Sequence, residues 1–159
     1  MQTIIITGSC GLVGSESVNF FHNKGFKVIG IDNNLRQKFF GKDGSTKWVK
    51  NIIIRKNKNY IHNNIDIRDK KSMEKIFKKY QKNLKLIIHC AAQPSHDYAK
   101  NNSKIDFEVN ATGTHNLLEL TKKYSSKSPF IFMSTNKVYG DNPNKLKFFK
   151  KKERFELNK

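Results

Sequence analysis

The sequence predicts a doubly wound α/β fold, in which helices cover both faces of a five-stranded parallel sheet. Short apolar runs rich in Ile and Val alternate along the 159 residues with longer stretches of helical periodicity. A glycine triplet, Gly8, Gly11 and Gly14, separates the first apolar run from the first helical stretch. Small and polar residues follow the apolar runs, at the edge where parallel sheets bind ligands. Right-handed crossovers then give the strand order 3-2-1-4-5.

The first half of the chain carries two strands and a less regular connection. The first strand, the first helix and the second strand are predicted at residues 3–7, 12–24 and 27–31. Within the irregular residues 33–57, Ser45 is a candidate N-cap for a short helix. The apolar side chains that this helix would bury are Trp48, Val49, Ile52 and Ile53.

The second half repeats the alternation of strands and helices. Strands are predicted at residues 60–65, 84–89 and 130–133, and a long helix at residues 103–124. Asp69 is expected to cap the helix between the third and fourth strands, whose apolar residues form one stripe. The members of that stripe are Met73, Ile76, Phe77 and Tyr80.

Composition restricts the class of protein. The length fits one domain, and no apolar stretch approaches the 18 or so residues of a membrane span. Residues 1–144 form the predicted domain, whereas the basic residues 145–159 lack periodicity and are expected to be poorly ordered. Cys10 and Cys90 follow strands and form no disulfide framework, and no signal peptide precedes the first strand, so a cytoplasmic setting is expected. No histidine or cysteine has metal-ligand spacing, so we expect no metal.

The net charge of +18 raises the question of nucleic-acid binding. Lysines far outnumber arginines, although the arginine fork is the better reader of phosphates and bases. The lysines are also spread along predicted helix faces. We therefore expect a solvated basic surface, and a nucleic-acid-binding domain remains the alternative from a different class.

The strand, the glycine turn and the helix together predict a dinucleotide site. Gly8 permits the tight turn, Gly11 lets backbone approach a pyrophosphate, and Gly14 lets the helix pack close to the strand. The N–H groups at the start of the helix can bind the phosphates. An ordinary turn would also use glycine, but Asp32 lies 18 residues after Gly14, close to the position of the acid that binds a ribose in dinucleotide folds.

The acidic residues after the second and third strands predict the adenosine end of this site. Asp32 favours NAD, because its charge would repel the 2′-phosphate of NADP. Arg36 weakens this preference, since a nearby arginine can bind that phosphate. Asp66 can accept from an adenine amino group and Ile67 can pack on the ring, although Asp66 could equally begin the loop before the next helix.

Residues after the fourth strand complete the predicted cofactor site. Ala91 and Ala92 permit close backbone approach to the middle of the cofactor, although ordinary small-residue packing also explains them. Asn110 lies in the middle of a predicted helix, where asparagine is unfavourable, so it is expected to hold the backbone of the fourth or fifth strand. The predicted cofactor-binding residues are Gly8, Cys10, Gly11, Leu12, Val13, Gly14, Asp32, Asn33, Asp66, Ile67, Cys90, Ala91, Ala92, Gln93 and Asn110.

These motifs resemble, in order, those of the N-terminal part of the NAD-dependent epimerase/dehydratase family, the extended short-chain dehydrogenases/reductases that act on sugar nucleotides. The resemblance covers residues 1–144 and implies a Rossmann-type domain that holds NAD, a nucleotide-sugar substrate and a homo-oligomeric parent enzyme. Besides the glycine triplet, Asp32 and Asp66-Ile67, it rests on His89-Cys90-Ala91-Ala92, Asn110-Ala111-Thr112-Gly113-Thr114, Asn116-Leu117-Leu118-Glu119 and Ser134-Thr135 with Val138-Tyr139-Gly140.

Within the family, three stretches are most similar to the CDP-paratose (tyvelose) 2-epimerase branch. They are Ile31-Asp32-Asn33 leading to Phe39-Phe40-Gly41, residues 91–97 and residues 134–141. The alternatives within the family are a UDP-hexose 4-epimerase and a 4,6-dehydratase.

The resemblance also implies a mechanism, in which NAD takes a hydride from a sugar carbon and returns it to the other face of the keto intermediate. It gives Thr135 the role of the catalytic hydroxyl that orients a substrate oxygen. The residues expected beside the substrate are Gln93, His96, Thr135 and Asn136. His96 is equally explained as an ordinary histidine of a surface loop.

One family motif is missing from the sequence. The family takes and returns the hydroxyl proton with a Tyr-x-x-x-Lys pair, but the residues four positions after the five tyrosines are Asn64, Leu84, Asn102, Ser128 and Pro143. Tyr139 resembles the family's structural tyrosine instead. We therefore expect a fragment that is truncated before the catalytic pair and the substrate domain and is inactive by itself.

Overall fold

The main sheet has the predicted doubly wound topology. The computed structural model describes residues 1–158, except for the side chains of residues 136 and 137. Five parallel strands lie in the order β3-β2-β1-β4-β5, which confirms the predicted order. The strands are β1 Thr3–Thr7, β2 Lys27–Ile31, β3 Tyr60–Asn63, β4 Leu84–His89 and β5 Phe130–Phe132.

Helices connect the strands and cover the sheet. Within residues 1–158, no helix combines the length and the apolar character that a crossing of a lipid bilayer requires. The long helix predicted at residues 103–124 is interrupted by a π-helical turn at Glu108–Thr112. The α-helices are α1 Leu12–Asn23, α2 Arg36–Phe40, α3 Lys47–Lys56, α4 Lys70–Tyr80, α5 His96–Asn101, α6 Ser103–Phe107 and α7 Gly113–Ser125.

The central strand β1 is buried on both faces, which explains its unbroken apolar run. Side chains alternate between the two faces of a strand. Ile5 therefore belongs to a core that contains Phe77 of α4 and Leu117 of α7. Ile4 and Ile6 belong to a second core, which α1 and α3 cover from the other side.

The start of α4 agrees with the sequence, whereas that of α3 does not. Asp69 caps α4, since its Oδ1 accepts from Ser72 N at 3.1 Å. The N-cap residue of α3 is Thr46 and not the expected Ser45, although Ser45 Oγ accepts from Lys47 N, the first N–H of the helix, at 3.5 Å. Ile53 of α3 is buried, but Trp48 and Ile52 of the expected buried set are exposed. The reason is that α3 packs on the sheet along a narrow strip, so neighbouring apolar residues face solvent.

Two features lie at the C-terminal side of the sheet. Strand β5 forms one edge, and the side chains of Ile131, Phe132 and Met133 are exposed there. Further on, β6 Phe148–Lys150 and β7 Phe155–Leu157 form an antiparallel hairpin. This differs from the poorly ordered tail that the basic composition suggested, because aromatic residues in both segments favour strand pairing.

A hydrogen-bonded chain of buried side chains joins β1, β4 and α7. Ala91 N donates to Thr7 Oγ1 at 3.2 Å, and Thr7 Oγ1 lies 2.6 Å from His89 Nδ1. On the other side of the ring, His89 Nε2 lies 2.9 Å from Thr114 Oγ1, which donates to Asn110 O at 2.7 Å. These partners assign a neutral His89 with its proton on Nε2. Burial agrees with this assignment, because it lowers the pKa of His89 to about 4.

The depressed pKa of His89 makes the stability of the fold depend on pH. Unfolded His89 gains a proton near its ordinary pKa of 6.5, whereas folded His89 stays neutral down to about 4. Stability from His89 is therefore fully present above pH 6.5 and is lost as the pH falls through this window. Between pH 6.5 and pH 5 we expect the free energy of unfolding to fall by about 2 kcal/mol, because each pH unit in this window is worth about 1.36 kcal/mol.

Urea unfolding at pH 7, 6 and 5 measures this loss. His89→Gln should be less stable at pH 7 and should show a flatter pH dependence. An NMR titration of the His89 ring provides a check without a substitution. A ring that gains its proton near pH 6.5 in the folded protein would contradict the prediction.

Candidate functional site

An open cavity of about 600 Å³ lies at the carboxyl edge of the sheet. Its walls come from the glycine turn after β1, the end of β2 and the loop that follows, α3 and β3. Cys10, Asp32, Asn34, Lys50 and His62 are among the residues that line it. The cavity therefore lies where the sequence placed the adenosine end of a dinucleotide.

The glycine turn is packed too tightly for side chains at two of its positions. Gly8 has a φ of +64°, and a Cβ there would lie 2.7 Å from Ala91 N. The turns after β1 and β4 are therefore in direct backbone contact. A Cβ on Gly14 would lie 2.0 Å from Gly8 O, so the close packing predicted for Gly14 is confirmed.

The start of α1 presents unpaired backbone donors at this turn. Gly11 is the N-cap residue, and no side chain caps the helix. The first N–H groups of a helix have no partner within it, and they carry the positive end of the helix dipole. Leu12 and Val13 of this first turn are exposed, at 85% and 45%. The backbone of the turn and of the start of α1 therefore forms a cradle that fits the phosphates of a dinucleotide.

The carboxylate of Asp32 is tied to the glycine turn. Its Oδ2 accepts from Cys10 N at 3.0 Å, and its Oδ1 accepts from Asn34 N at 2.8 Å. An ionised carboxylate has about four acceptor positions, so positions remain for ribose hydroxyls. The acid and the phosphate cradle are thus held in one arrangement before any ligand binds.

Asn34 holds the loop beside Asp32, and the sequence analysis missed this role. Its backbone is left-handed, with a φ of +58°, which asparagine tolerates better than most residues. Its Oδ1 accepts from Thr46 N at 2.8 Å and from Thr46 Oγ1 at 3.1 Å, while its Nδ2 donates to Gln37 Oε1 at 2.8 Å. A single side chain therefore fastens both ends of the connection between β2 and α3.

Asp66 and Asn33 are brought together, as the sequence placed them, with Arg68 as an added partner. Asn33 Nδ2 donates to Asp66 Oδ2 at 3.1 Å. Arg68 binds both oxygens of Asp66 through Nε at 2.9 Å and Nη2 at 2.7 Å, and its Nη1 lies 3.3 Å from Glu108 Oε2. Burial alone would raise the pKa of Asp66, but the bonds and charge of Arg68 outweigh it and lower that pKa. Asp66 is thus ionised, and Arg68 N, which donates to its Oδ1 at 2.9 Å, brings the hydrogen bonds to its carboxylate to four.

Ile67 does not offer its side chain to a ligand. The side chain is buried in the core, where a Cβ on Gly113 would lie 2.5 Å from Ile67 Cδ1. The expected packing of this side chain on an adenine ring is therefore wrong. Helix α7 approaches so closely at Gly113 that Ile67 fills the space between helix and sheet.

Gln93 and Asn110 support the loop after β4. Asn110 Oδ1 accepts from Gln93 N at 2.8 Å, and Asn110 Nδ2 donates to Gln93 O at 3.1 Å. Asn110 therefore holds backbone, as expected, but it is the backbone of the loop after β4 and not that of β4 or β5. Gln93 is buried, and its Nε2 donates to Asp106 Oδ1 at 2.8 Å and to Ser95 O at 3.0 Å. The amide of Gln93 is therefore used within the protein, which leaves it a supporting role instead of the expected substrate contact.

A polar chain that the sequence did not reveal lies at the floor of the cavity. Ser9 Oγ is 2.9 Å from Tyr60 OH, which is 3.1 Å from His62 Nδ1. Burial, and then the charge of Lys50, lower the pKa of His62. No local pattern could have found this chain, because its members come from the glycine turn and from alternate positions of β3.

The thiols of Cys10 and Cys90 are structural. Burial raises the pKa of each to about 11, and the charge of Asp32 adds to the effect at Cys10. The backbone N–H of Cys10 binds Asp32, and that of Cys90 donates to Thr7 O at 3.1 Å. Cys10 and Cys90 therefore contribute to the carboxyl edge of the sheet through the hydrogen bonds of their backbone N–H groups.

Three lysines line the cavity that contains Asp32. Arg36 stacks over the ring of Phe40 at 4.5 Å, whereas Lys38, Lys47 and Lys50 line the cavity. Lysines are therefore also placed to meet a 2′-phosphate, and the role of Arg36 there stays a prediction.

The predicted substrate-side residues lie at other places along the same edge. His96 is exposed at the start of α5, and Ala92, which was predicted beside the middle of the cofactor, is exposed after β4. Thr135 is exposed beyond β5. The side chain of Asn136 lies outside the described residues.

Comparison with known proteins identifies similar sequences. A family model described as GDP-mannose 4,6 dehydratase matches residues 5–156. CDP-paratose 2-epimerase of Salmonella typhi is 35% identical over 138 residues, which is 87% of this chain and 38% of that protein. dTDP-glucose 4,6-dehydratase of Haemophilus influenzae is 31% identical over 151 residues, which is 89% of this chain and 41% of that protein. The chain thus spans about two fifths of these curated relatives.

Solved structures with the same fold are similar along most of the chain. UDP-glucose 4-epimerase of Thermotoga maritima, solved with UDP-glucose, is 30% identical with a TM-score of 0.71, over 89% of this chain and 40% of that one. UDP-glucose 4-epimerase of Thermus thermophilus, solved in complex with NAD, is 27% identical with a TM-score of 0.61, over 77% of this chain and 34% of that one.

The close packing of the glycine turn predicts a difference between two alanine variants. Gly14→Ala should lower the free energy of unfolding by about 1–3 kcal/mol, because the turn or α1 must move away from the new methyl group. Gly11→Ala is the matched control, since its Cβ would lie 3.3 Å from the same Gly8 O. Urea unfolding followed by circular dichroism measures both. Equal losses would contradict the prediction, because the tighter contact at Gly14 would then cost no more than the one at Gly11.

Proposed function

This chain belongs to the family of NAD-dependent sugar-nucleotide epimerases and dehydratases, and on that premise we propose that it is the NAD-binding part of such an enzyme. One observation carries the proposal. The carboxylate of Asp32 is hydrogen-bonded to Cys10 N in the turn that leads into the uncapped start of α1. A ribose acceptor and a phosphate cradle are therefore joined, as a dinucleotide requires.

Each part of the cofactor has a proposed partner at the edge. The backbone around Gly8, Gly11 and Gly14, with Leu12 and Val13, holds the pyrophosphate. Asp32 accepts hydrogen bonds from the adenosine ribose, Asn33 donates to the same ribose, and Asp66 accepts from the adenine. The backbone of Ala91 and Ala92 lies beside the middle of the cofactor. When bound, NAD supplies a hydride acceptor that can be reduced and reoxidised in one catalytic cycle.

The proposed parent activity is that of a CDP-paratose 2-epimerase. The identity of 35% to the Salmonella typhi enzyme and the three stretches that resemble its branch support this choice. The 31% identity to a 4,6-dehydratase keeps a second activity of the same family open. In either case Thr135 orients a substrate hydroxyl, while His96 and Asn136 are the proposed substrate contacts.

Calorimetric titration with NAD tests the cofactor proposal. Asp32→Ala should weaken NAD binding about 10- to 100-fold, because hydrogen bonds to a charged group contribute about 1.5–3 kcal/mol. Asp43→Ala is the matched control, since it removes the same charge from the exposed turn after α2. NADP should bind more weakly than NAD because the charge of Asp32 opposes its 2′-phosphate.

The same titration separates this proposal from nucleic-acid binding. Unchanged NAD affinity in Asp32→Ala, or tighter binding of NADP, would overturn the assignment. A basic nucleic-acid binder would instead bind oligonucleotides with a steep dependence on salt. It would also be indifferent to a side chain at Gly11.

The 159-residue chain by itself should not interconvert CDP-paratose and CDP-tyvelose. The Thr135 hydroxyl is too weak a base to take a proton unaided, and the Tyr-x-x-x-Lys pair is missing from the sequence. General acid–base assistance is worth on the order of 10²–10⁴-fold in rate. Incubation of the chain with NAD and either sugar, followed by chromatography, measures the reaction. Conversion above a protein-free control would refute this expectation and make Tyr139 the first residue to substitute.

A further inference from the structure

An aromatic pair joins two short helices above the carboxyl end of β1. The rings of Phe39 in α2 and Tyr98 in α5 have centroids 4.9 Å apart, with planes inclined by 55°. Helix α2 follows β2, helix α5 follows β4, and these two strands are the neighbours of β1 in the sheet. A contact between the segments that follow them therefore spans the end of β1, where the glycine turn lies.

A dinucleotide at this edge spans the same gap. Ligands of doubly wound sheets lie outside the carboxyl ends of the strands, across the point where the strand order reverses. A molecule that reaches from Asp32 after β2 to the ends of β4 and β5 has to pass the glycine turn. The ring pair and the dinucleotide would therefore cross the end of β1 one above the other.

We propose that Phe39 and Tyr98 form a strap that closes over the bound dinucleotide and slows its release. This inference rests on the proposed function, and it assigns both residues a retaining role that no part of the cofactor chemistry needs. The two rings are positioning residues, because they act by keeping the ligand against the glycine turn.

The Tyr98 half of the strap is firmly held. Tyr98 N donates to Ser95 Oγ at 3.2 Å, and Tyr98 O accepts from Asn102 Nδ2 at 3.1 Å. The loop that leads into α5 is fixed in turn by the bonds between Gln93 and Asn110. This half therefore provides a fixed point on which a ring can close.

The Phe39 half is held mainly at its base. Helix α2 has five residues, none of them buried, and it ends at Gly41 with a φ of +73° and open space around the Cβ position. The bonds of Asn34 fasten the loop before α2 to the start of α3. Helix α2 is therefore a short exposed segment that is held at Gln37 by Asn34 Nδ2 and packed against Gly44, and the Phe39–Tyr98 ring contact links it to α5.

The release rate of NADH, measured by stopped-flow fluorescence with excess NAD as competitor, tests the strap. Phe39→Ala and Tyr98→Ala should each release NADH about three- to tenfold faster, as expected for loss of one aromatic pair. The double variant should be no faster than either single one, because both remove the same contact.

Two further variants separate the strap from general loosening. Phe40→Ala removes a neighbouring ring of α2 that stacks with Arg36, and it should leave the release rate unchanged. Tyr98→Phe keeps the ring and should behave as the unsubstituted chain does.

The outcomes distinguish the strap from the cofactor assignment. If the unsubstituted chain binds NADH but all variants release it at the same rate, the strap is refuted and the proposed function stands. A release rate that rises equally in Phe40→Ala also refutes it. If the unsubstituted chain does not bind NADH at all, the proposed function falls and the strap with it.

Discussion

The close backbone approach at Gly8 is the constraint on which the rest of the site depends. A Cβ at this position would lie 2.7 Å from Ala91 N, so the turns after β1 and β4 can touch only where a side chain is absent. Gly8 N also donates to Ile31 O at 2.8 Å, which ties the same turn to the end of β2. The ends of three strands therefore meet at one residue. The position of Asp32 beside the start of α1 follows from that meeting.

Most polar side chains at this edge serve the structure. The side chains of Gln93, Asn110 and Asn34 form hydrogen bonds with neighbouring segments of the chain. His89 lies between the hydroxyl groups of Thr7 and Thr114. What remains for a ligand is the backbone donors of α1 and the carboxylate of Asp32, which accepts only two hydrogen bonds within the described structure. Such a division suits a dinucleotide, because its phosphates need donors held in place and its sugar needs an acceptor.

The sequence predicted those features whose cause is local. The Ile4-Ile5-Ile6 run, the cap at Asp69 and the glycine triplet each depend on a few neighbouring residues, so a short pattern in the sequence indicates them. Asn34, Arg68 and the Ser9–Tyr60–His62 chain have partners that only the folded sheet brings near, so their roles could not be read from spacing. The break in the long helix could not be predicted either, because the apolar periodicity continues on both sides of the π-helical turn. The hairpin was missed because lysines dominate the composition of its segment.

The open edge at β5 also affects how copies of this chain behave toward one another. Edge strands with exposed apolar side chains, such as Ile131 and Phe132, offer unpaired backbone groups to a second molecule and favour aggregation. The net charge of +18 opposes such encounters by repulsion between the copies. Added salt screens that repulsion over distances beyond about 8–10 Å at physiological ionic strength. The basic surface that raised the question of nucleic-acid binding therefore opposes association of copies through the exposed side chains of β5. This repulsion is strongest in buffers of low ionic strength.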